Sequence, residues 1–225
     1  VNQGQARIVD KSDDAELREL RGELKMFVCE GEFARGLDCI LREYLSNLNN
    51  SSQRSAWVSG FYGSGKSHLL KMLAHLWVDT KFADGASARG LVPALPKEIV
   101  AHLTELDTAG RRHGGLFSAA GTLLAGSHDR VRETVLGIML RSSDLPDQYP
   151  LARFCLWLED EGALDQVKQH VEANGGNWDK ALINLWVGTH IPKAILAWKK
   201  DYAANEAGVR NTIKEQFQKQ VGDLT

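Results

Sequence analysis

The run Gly60-Phe61-Tyr62-Gly63-Ser64-Gly65-Lys66-Ser67 satisfies the phosphate-binding loop pattern G-x-x-x-x-G-K-[S/T] at every fixed position. In a chain of this length and ordinary composition the pattern arises by accident about once in a hundred times. Its flanks agree with it. Ala56-Trp57-Val58 reads as the end of a short strand, and residues 69–78 read as a helix. Strand, glycine loop and helix is the order that phosphate binding needs.

Gly60, Gly63 and Gly65 permit backbone dihedrals that a β-carbon forbids. The loop can then wrap inward and aim successive N–H groups at one point, an anion nest backed by the positive end of the following helix. In that frame residues 60–67 hold the phosphates of ATP. Lys66 sets its ammonium on the β- and γ-phosphate oxygens and is the catalytic candidate, and the Ser67 hydroxyl ligates Mg²⁺. The competing reading is a glycine turn with a surface lysine. His68, next to Ser67, is placed near the nucleotide. Phe61 and Tyr62 are expected to pack against the domain, with contact to a base or ribose as the alternative.

The 225 residues suffice for one ordinary domain with a real core, or one domain plus an appendage, and 43% hydrophobic and 25% charged residues place the chain in the soluble globular class. No apolar run reaches membrane-spanning length. A net charge of -2 supplies no global basic field, so any DNA contact would be local or made through another domain. Cys29, Cys39 and Cys155 form no C-x-x-C pair, which suits a reducing cytoplasm and argues against a disulfide framework or a zinc site. No secretory signal is legible, and Val1 in place of an initiator methionine suggests processing or truncation.

Residues 1–12 are expected to fray, and Ser12, Asp13 and Asp14 to cap a helix that follows. Residues 24–28 could form a strand. Phe33, Leu37, Ile40, Leu41, Tyr44, Leu45 and Leu48 share one face of a helix over 33–48. The helix after the loop is apolar except for His68, Lys71 and His75. His68 and His75 lie two turns apart, too far to share one ion. Residues 79–96 read as loop, and residues 97–106 as a helix with Ile99, Val100, Leu103 and Leu106 inward. Arg111-Arg112-His113 is a basic turn, with a phosphate contact or arginine finger as its functional alternative. Residues 116–122 are a plausible second buried strand. Beyond them Ser127 looks like the cap of a helix to Arg141, Leu151 starts another, Asn177 caps a third over 178–187, and Pro192 opens a long last helix.

A complete phosphate-loop ATPase also needs an apolar strand ending in Asp to hold Mg²⁺ through water. The lookalike Phe154-Cys155-Leu156-Trp157-Leu158-Glu159-Asp160-Glu161 has helical spacing instead, and Pro150 suits a first turn. The acidic strand is therefore expected beyond Thr225 in a longer protein.

The segment from Trp57 to Lys71, with its aromatic pair inside the loop and a histidine after the serine, resembles the large P-loop ATPases of bacterial BREX phage-exclusion systems, the BrxC/PglY-like family. The helix at 33–48 and the run His113-Gly114-Gly115-Leu116-Phe117-Ser118-Ala119-Ala120-Gly121-Thr122 look like theirs, and the resemblance spans roughly residues 24–190. It implies an N-terminal nucleotide-binding piece of a protein several times this size. Its expected partners are the other subunits of a cytoplasmic defence complex, with a self-oligomer plausible by analogy, DNA contact indirect and no membrane. Related ATPases serve phosphorothioation-linked defences. The absent acidic strand departs from the family pattern and puts hydrolysis by this piece alone in doubt.

Three functional classes follow: an ATPase motor or switch, a nucleotide-gated interaction module with little turnover, and a nucleotide or small-molecule kinase. The kinase needs an arginine-rich lid, for which only scattered residues such as Arg130 and Arg132 are available. The expected fold is a layered α/β/α P-loop NTPase of AAA-like type with a mostly parallel sheet and extra helices in the C-terminal half. The expected organisation is one domain over 1–225. Within it 13–54 form an N-terminal strand and helix, 55–126 the nucleotide-binding core, and 127–225 a mainly helical part.

Overall fold

Every named element among the described residues, 14–121 and 131–218, is a helix in the computed structural model. They are α1 (Asp14–Met26), α2 (Gly31–Ser46), α3 (Lys66–Trp77), α4 (Ala88–Leu91), α5 (Lys97–Arg111), α6 (Val131–Arg141), α7 (Tyr149–Asp160), α8 (Leu164–Ala173), α9 (Trp178–Ile183), α10 (His190–Trp198) and α11 (Glu206–Phe217). The β-type pairing among the described residues is an isolated bridge between Lys81 and Ser87. The expected layered α/β fold with a parallel sheet is thus overturned: the described residues form no sheet.

Each expected strand fails for its own reason. Residues 24–26 are the last turn of α1, because Leu20 and Leu24, four apart, are both fully buried and helical spacing outweighs a short apolar run. Around Ala56-Trp57-Val58, residues 55–59 exchange no hydrogen bond with any other described residue, and a strand needs a partner. Residues 116–121 have no regular structure. Leu116 lies on Gly110 of α5, where a Cβ would come within 2.5 Å of it, and Phe117 is exposed. Thr122, Ser127, Arg130 and residues 1–13 lie outside the described residues.

The chain divides into two compact units, Val1–Thr122 and Leu123–Thr225. The first is built on α1, α2, α3 and α5, whose buried Leu20, Leu37, Leu41, Met72, Leu76 and Leu103 form one cluster. α2 packs on α5, where Asp38 Oδ1 lies 3.1 Å from His102 Nε2. Ile99, Leu103 and Leu106 of α5 face inward as their spacing predicts, but Val100 points to solvent. The region expected as loop between α3 and α5 carries the short α4, capped by Ser87, whose hydroxyl accepts from Gly90 N–H.

α3 departs most from its sequence pattern. Its polar stripe is half-buried at His68 and Lys71 and buried at His75. His75 is 5% exposed, with Nδ1 2.9 Å from Thr80 Oγ1. Lys71 pairs with Glu23 of α1, Nζ to Oε2 2.5 Å, and both side chains are largely enclosed. That approach is off the hydrogen-bonding direction, and neither Glu23 oxygen has a hydrogen-bond partner.

In the second unit Phe154, Leu158, Val167, Leu185, Ile195 and Ile213 lie in the core. Trp157 is flanked by Phe154, Trp198, Tyr202 and Phe217, with ring centroids 5.5–5.9 Å apart. The acidic lookalike falls in α7, which opens with Pro150 in its first turn, as its helical spacing predicts. Asn177 caps α9, accepting from Lys180 N–H. The single long helix expected from Pro192 is two helices, because Asn205 caps a new start by accepting from Gly208 N–H at 2.9 Å.

Candidate functional site

The glycine loop runs directly into the N-terminus of α3. Gly63 (φ 79°) and Gly65 (φ 82°) lie in the left-handed region, where other residues are strained. Gly60 does not share that conformation. A Cβ there would come within 2.8 Å of Ser64 Oγ, which would have to turn aside. The turn is closed by Ser64 N–H donating to Phe61 O at 3.2 Å. α3 begins at Lys66 with no side-chain cap, and its first intrahelical bond is Leu69 N–H to Gly65 O at 2.8 Å. The N–H groups of the first turn are thus left for an outside acceptor.

Lys66 Nζ donates to Gly60 O at 2.9 Å and to Phe61 O at 2.7 Å, and lies 3.3 Å from Ser64 Oγ. The ammonium is folded onto the carbonyl oxygens of its own loop. Ser67 is exposed beside it. The loop therefore gathers N–H donors, one cation and one hydroxyl at a single helix end. That donor set fits a polyphosphate, and Ser67 Oγ fits a magnesium ion that keeps most of its water. Among the described residues no three His, Cys, Asp or Glu side chains group as metal ligands.

His68 turns inward. Its ring meets Phe27 edge-on at 5.6 Å, and its buried Nδ1 has no hydrogen-bond partner. Burial pushes its pKa below 6.5, Glu23 opposes that shift and Lys71 adds to it. His68 thus supports the helix from behind rather than facing the loop. Phe61 and Tyr62, expected to pack against the domain, are 91% and 105% exposed. A glycine loop that bulges toward solvent carries its intervening side chains outward.

Beside the loop lies an open cleft of about 890 Å³ between α2 and residues 54–60. Ile40, Tyr44, Trp57 and Val58 line it, and Gly60, Phe61, Ser64 and Lys66 belong to both cleft and loop. The apolar face of α2 is wider than the core can cover: Leu37 and Leu41 are buried, whereas Phe33, Ile40 and Tyr44 are only partly so. That excess width was the legible sign of a second surface. Arg111 and Arg112 end α5 and lie outside the residues lining this cleft.

Compared with protein-family models, curated proteins and solved structures, the chain matches none.

Proposed function

We propose that the loop at residues 60–67 binds ATP as its Mg²⁺ complex, and that the chain is the nucleotide-driven component of a bacterial anti-phage defence complex of BREX type. One observation carries the nucleotide reading: Lys66 Nζ rests on Gly60 O and Phe61 O at the uncapped start of α3. An ammonium held by two neutral carbonyls gains by exchanging them for charged phosphate oxygens. Gly63 and Gly65 let the loop curve around those oxygens, and Ser67 offers its hydroxyl to the metal. The defence role rests on the sequence resemblance. It brings with it the other subunits of such a complex, a cytoplasmic location, a self-oligomer and indirect contact with DNA. No described helix is long and apolar enough to cross a membrane.

In this reading ATP is hydrolysed to ADP and phosphate, and loss of the γ-phosphate releases the contacts that Lys66 and the loop make with it. A second reading is favoured by the acidic lookalike at 154–161, which is helical in α7 rather than a strand ending in Asp. It is a nucleotide-gated interaction module that binds ATP and turns it over little. Titration of MgATP into the full chain tests the site. Lys66→Ala is expected to weaken binding about ten- to a hundredfold, the worth of a charge-assisted hydrogen bond. Unchanged affinity in that variant would remove the proposal. Release of phosphate at several turnovers per minute by this chain would exclude the binding-only reading.

A further inference from the structure

We infer that the cleft beside the loop holds the base and ribose of the nucleotide by stacking and burial, without reading the base edge, so that the site takes purine nucleoside triphosphates of either kind. This rests on the phosphate-loop reading above and goes beyond it in naming what binds the rest of the ligand.

The cleft is continuous with the loop through Gly60, Phe61, Ser64 and Lys66, so a ligand whose phosphates meet Lys66 has its remaining atoms at the cleft mouth. Its volume of about 890 Å³ lies within the 300–1,000 Å³ typical of small-ligand sites. The two walls differ in what supports them. Tyr44 on α2 is held by an edge-on contact with Trp77 at 4.6 Å. Trp57 opposite is 92% exposed and makes no ring contact with another described residue. A large apolar ring left in water beside a phosphate loop gains by covering a flat aromatic base.

The polar groups at the cleft do not select one base. Its charged rim residues are already paired, Glu32 with Arg35 and Glu43 with Arg54 at 3.6 Å. Among the described residues no asparagine or glutamine side chain lines it. Residues 55–59 present backbone N–H and C=O groups without partners among the described residues. Such a run supplies donors and acceptors alike, and can meet either the adenine or the guanine edge. Strong discrimination needs buried polar groups that the wrong base leaves unpaired. This wall has none, and a pyrimidine ring covers less of the indole.

The test is calorimetric titration of the full chain with MgATP, MgGTP and magnesium tripolyphosphate, in wild type, Trp57→Ala and Trp57→Phe. The expected result is ATP and GTP affinities within about tenfold of each other, both tighter than tripolyphosphate. Trp57→Ala should lose about tenfold or more for both nucleotides while tripolyphosphate binding stays unchanged, and Trp57→Phe should recover most of the loss. Because Trp57 is exposed, these variants leave the core intact. A preference for one purine beyond about a hundredfold would overturn the inference. So would a Trp57→Ala variant with wild-type nucleotide affinity, or one that loses tripolyphosphate equally. Tripolyphosphate binding with no gain from the nucleoside leaves the phosphate loop standing and the cleft refuted. Failure of all three ligands to bind refutes both.

Discussion

The ring of Phe33 on α2 lies against Gly65 at the base of the glycine loop, so closely that a Cβ on Gly65 would sit 2.8 Å from Phe33 Cζ. Gly65 also holds φ at 82°. Two separate constraints therefore select glycine at this position. Gly65→Ala is expected to cost about 1–3 kcal/mol from the backbone alone, with the clash added. Gly63→Ala, at φ 79° with open space around its Cβ position, should show the backbone part only. In urea unfolding of the full chain, Phe33→Ala should rescue part of the Gly65→Ala loss and none of the Gly63→Ala loss. Equal rescue of both would dissolve the link between α2 and the loop.

The Glu23–Lys71 pair joins α1 to α3 inside the first unit, and a buried pair is costly to halve. Lys71→Met should destabilise by about 3–5 kcal/mol, because it leaves the Glu23 carboxylate enclosed and unpaired. The double variant Glu23→Leu with Lys71→Met should recover most of that loss, or exceed wild type. Chemical denaturation of both variants decides it. A double variant no better than the single would mean that the pair contributes net stability of its own.

Arg89 ties three pieces of the first unit together. Its guanidinium donates to both oxygens of Asp107 on α5, at 2.6 and 3.0 Å, and to Leu76 O and Trp77 O at the end of α3, at 2.7 and 2.9 Å. These bonds add donors to carbonyls at the end of α3, where Leu76 O also accepts from Asp79 N–H at 3.4 Å. Lysine cannot reproduce the planar fork, so Arg89→Lys is expected to cost about 1–3 kcal/mol. Thermal unfolding should show a lowered midpoint. An unchanged midpoint would mean that water replaces the guanidinium without loss.

Stability should fall in two separate acid windows. His68 has its folded pKa held below 6.5 by burial, so the unfolded chain takes up a proton first. Stability from this group is complete above pH 6.5 and declines as pH falls from there toward the folded value. Asp84 is held down to about 2, chiefly by its hydrogen bond from Arg21. Its contribution is present above its ordinary 3.8 and is lost as pH falls toward about 2. Unfolding midpoints measured against pH should lose the upper slope in His68→Gln and part of the lower one in Asp84→Asn. Asp79 shares that lower window, because burial pushes its carboxyl up but hydrogen bonds from Lys81 and Arg89 N–H bring it below 3.8. A His68→Gln profile that keeps its slope near pH 6 would assign that slope to another group.

The helices over α2, α5 and α7 were legible because apolar residues recur there at helical intervals, as Leu37 with Leu41 and Ile99 with Leu103 do. Caps were equally local: Asn177 announces α9 with a single side chain. The break between α10 and α11 was missed because Asn205 acts only where the preceding chain has already turned away. The partners of the polar residues of α3 were not legible either. Lys71 pairs with Glu23, which comes from α1, and His75 with Thr80, which the chain brings back just past the end of α3.

By itself the sequence determined the glycine loop, the lysine and hydroxyl that end it, and the helix they start. These depend on dihedral freedom and hydrogen bonds between near neighbours. Only the tertiary structure decided that Ala56-Trp57-Val58 has no strand beside it, that Phe33 buttresses Gly65, and that α2 and Trp57 enclose a cleft. Pairing and enclosure join residues distant along the chain. A local pattern records that a surface is apolar, and cannot record what comes to rest against it.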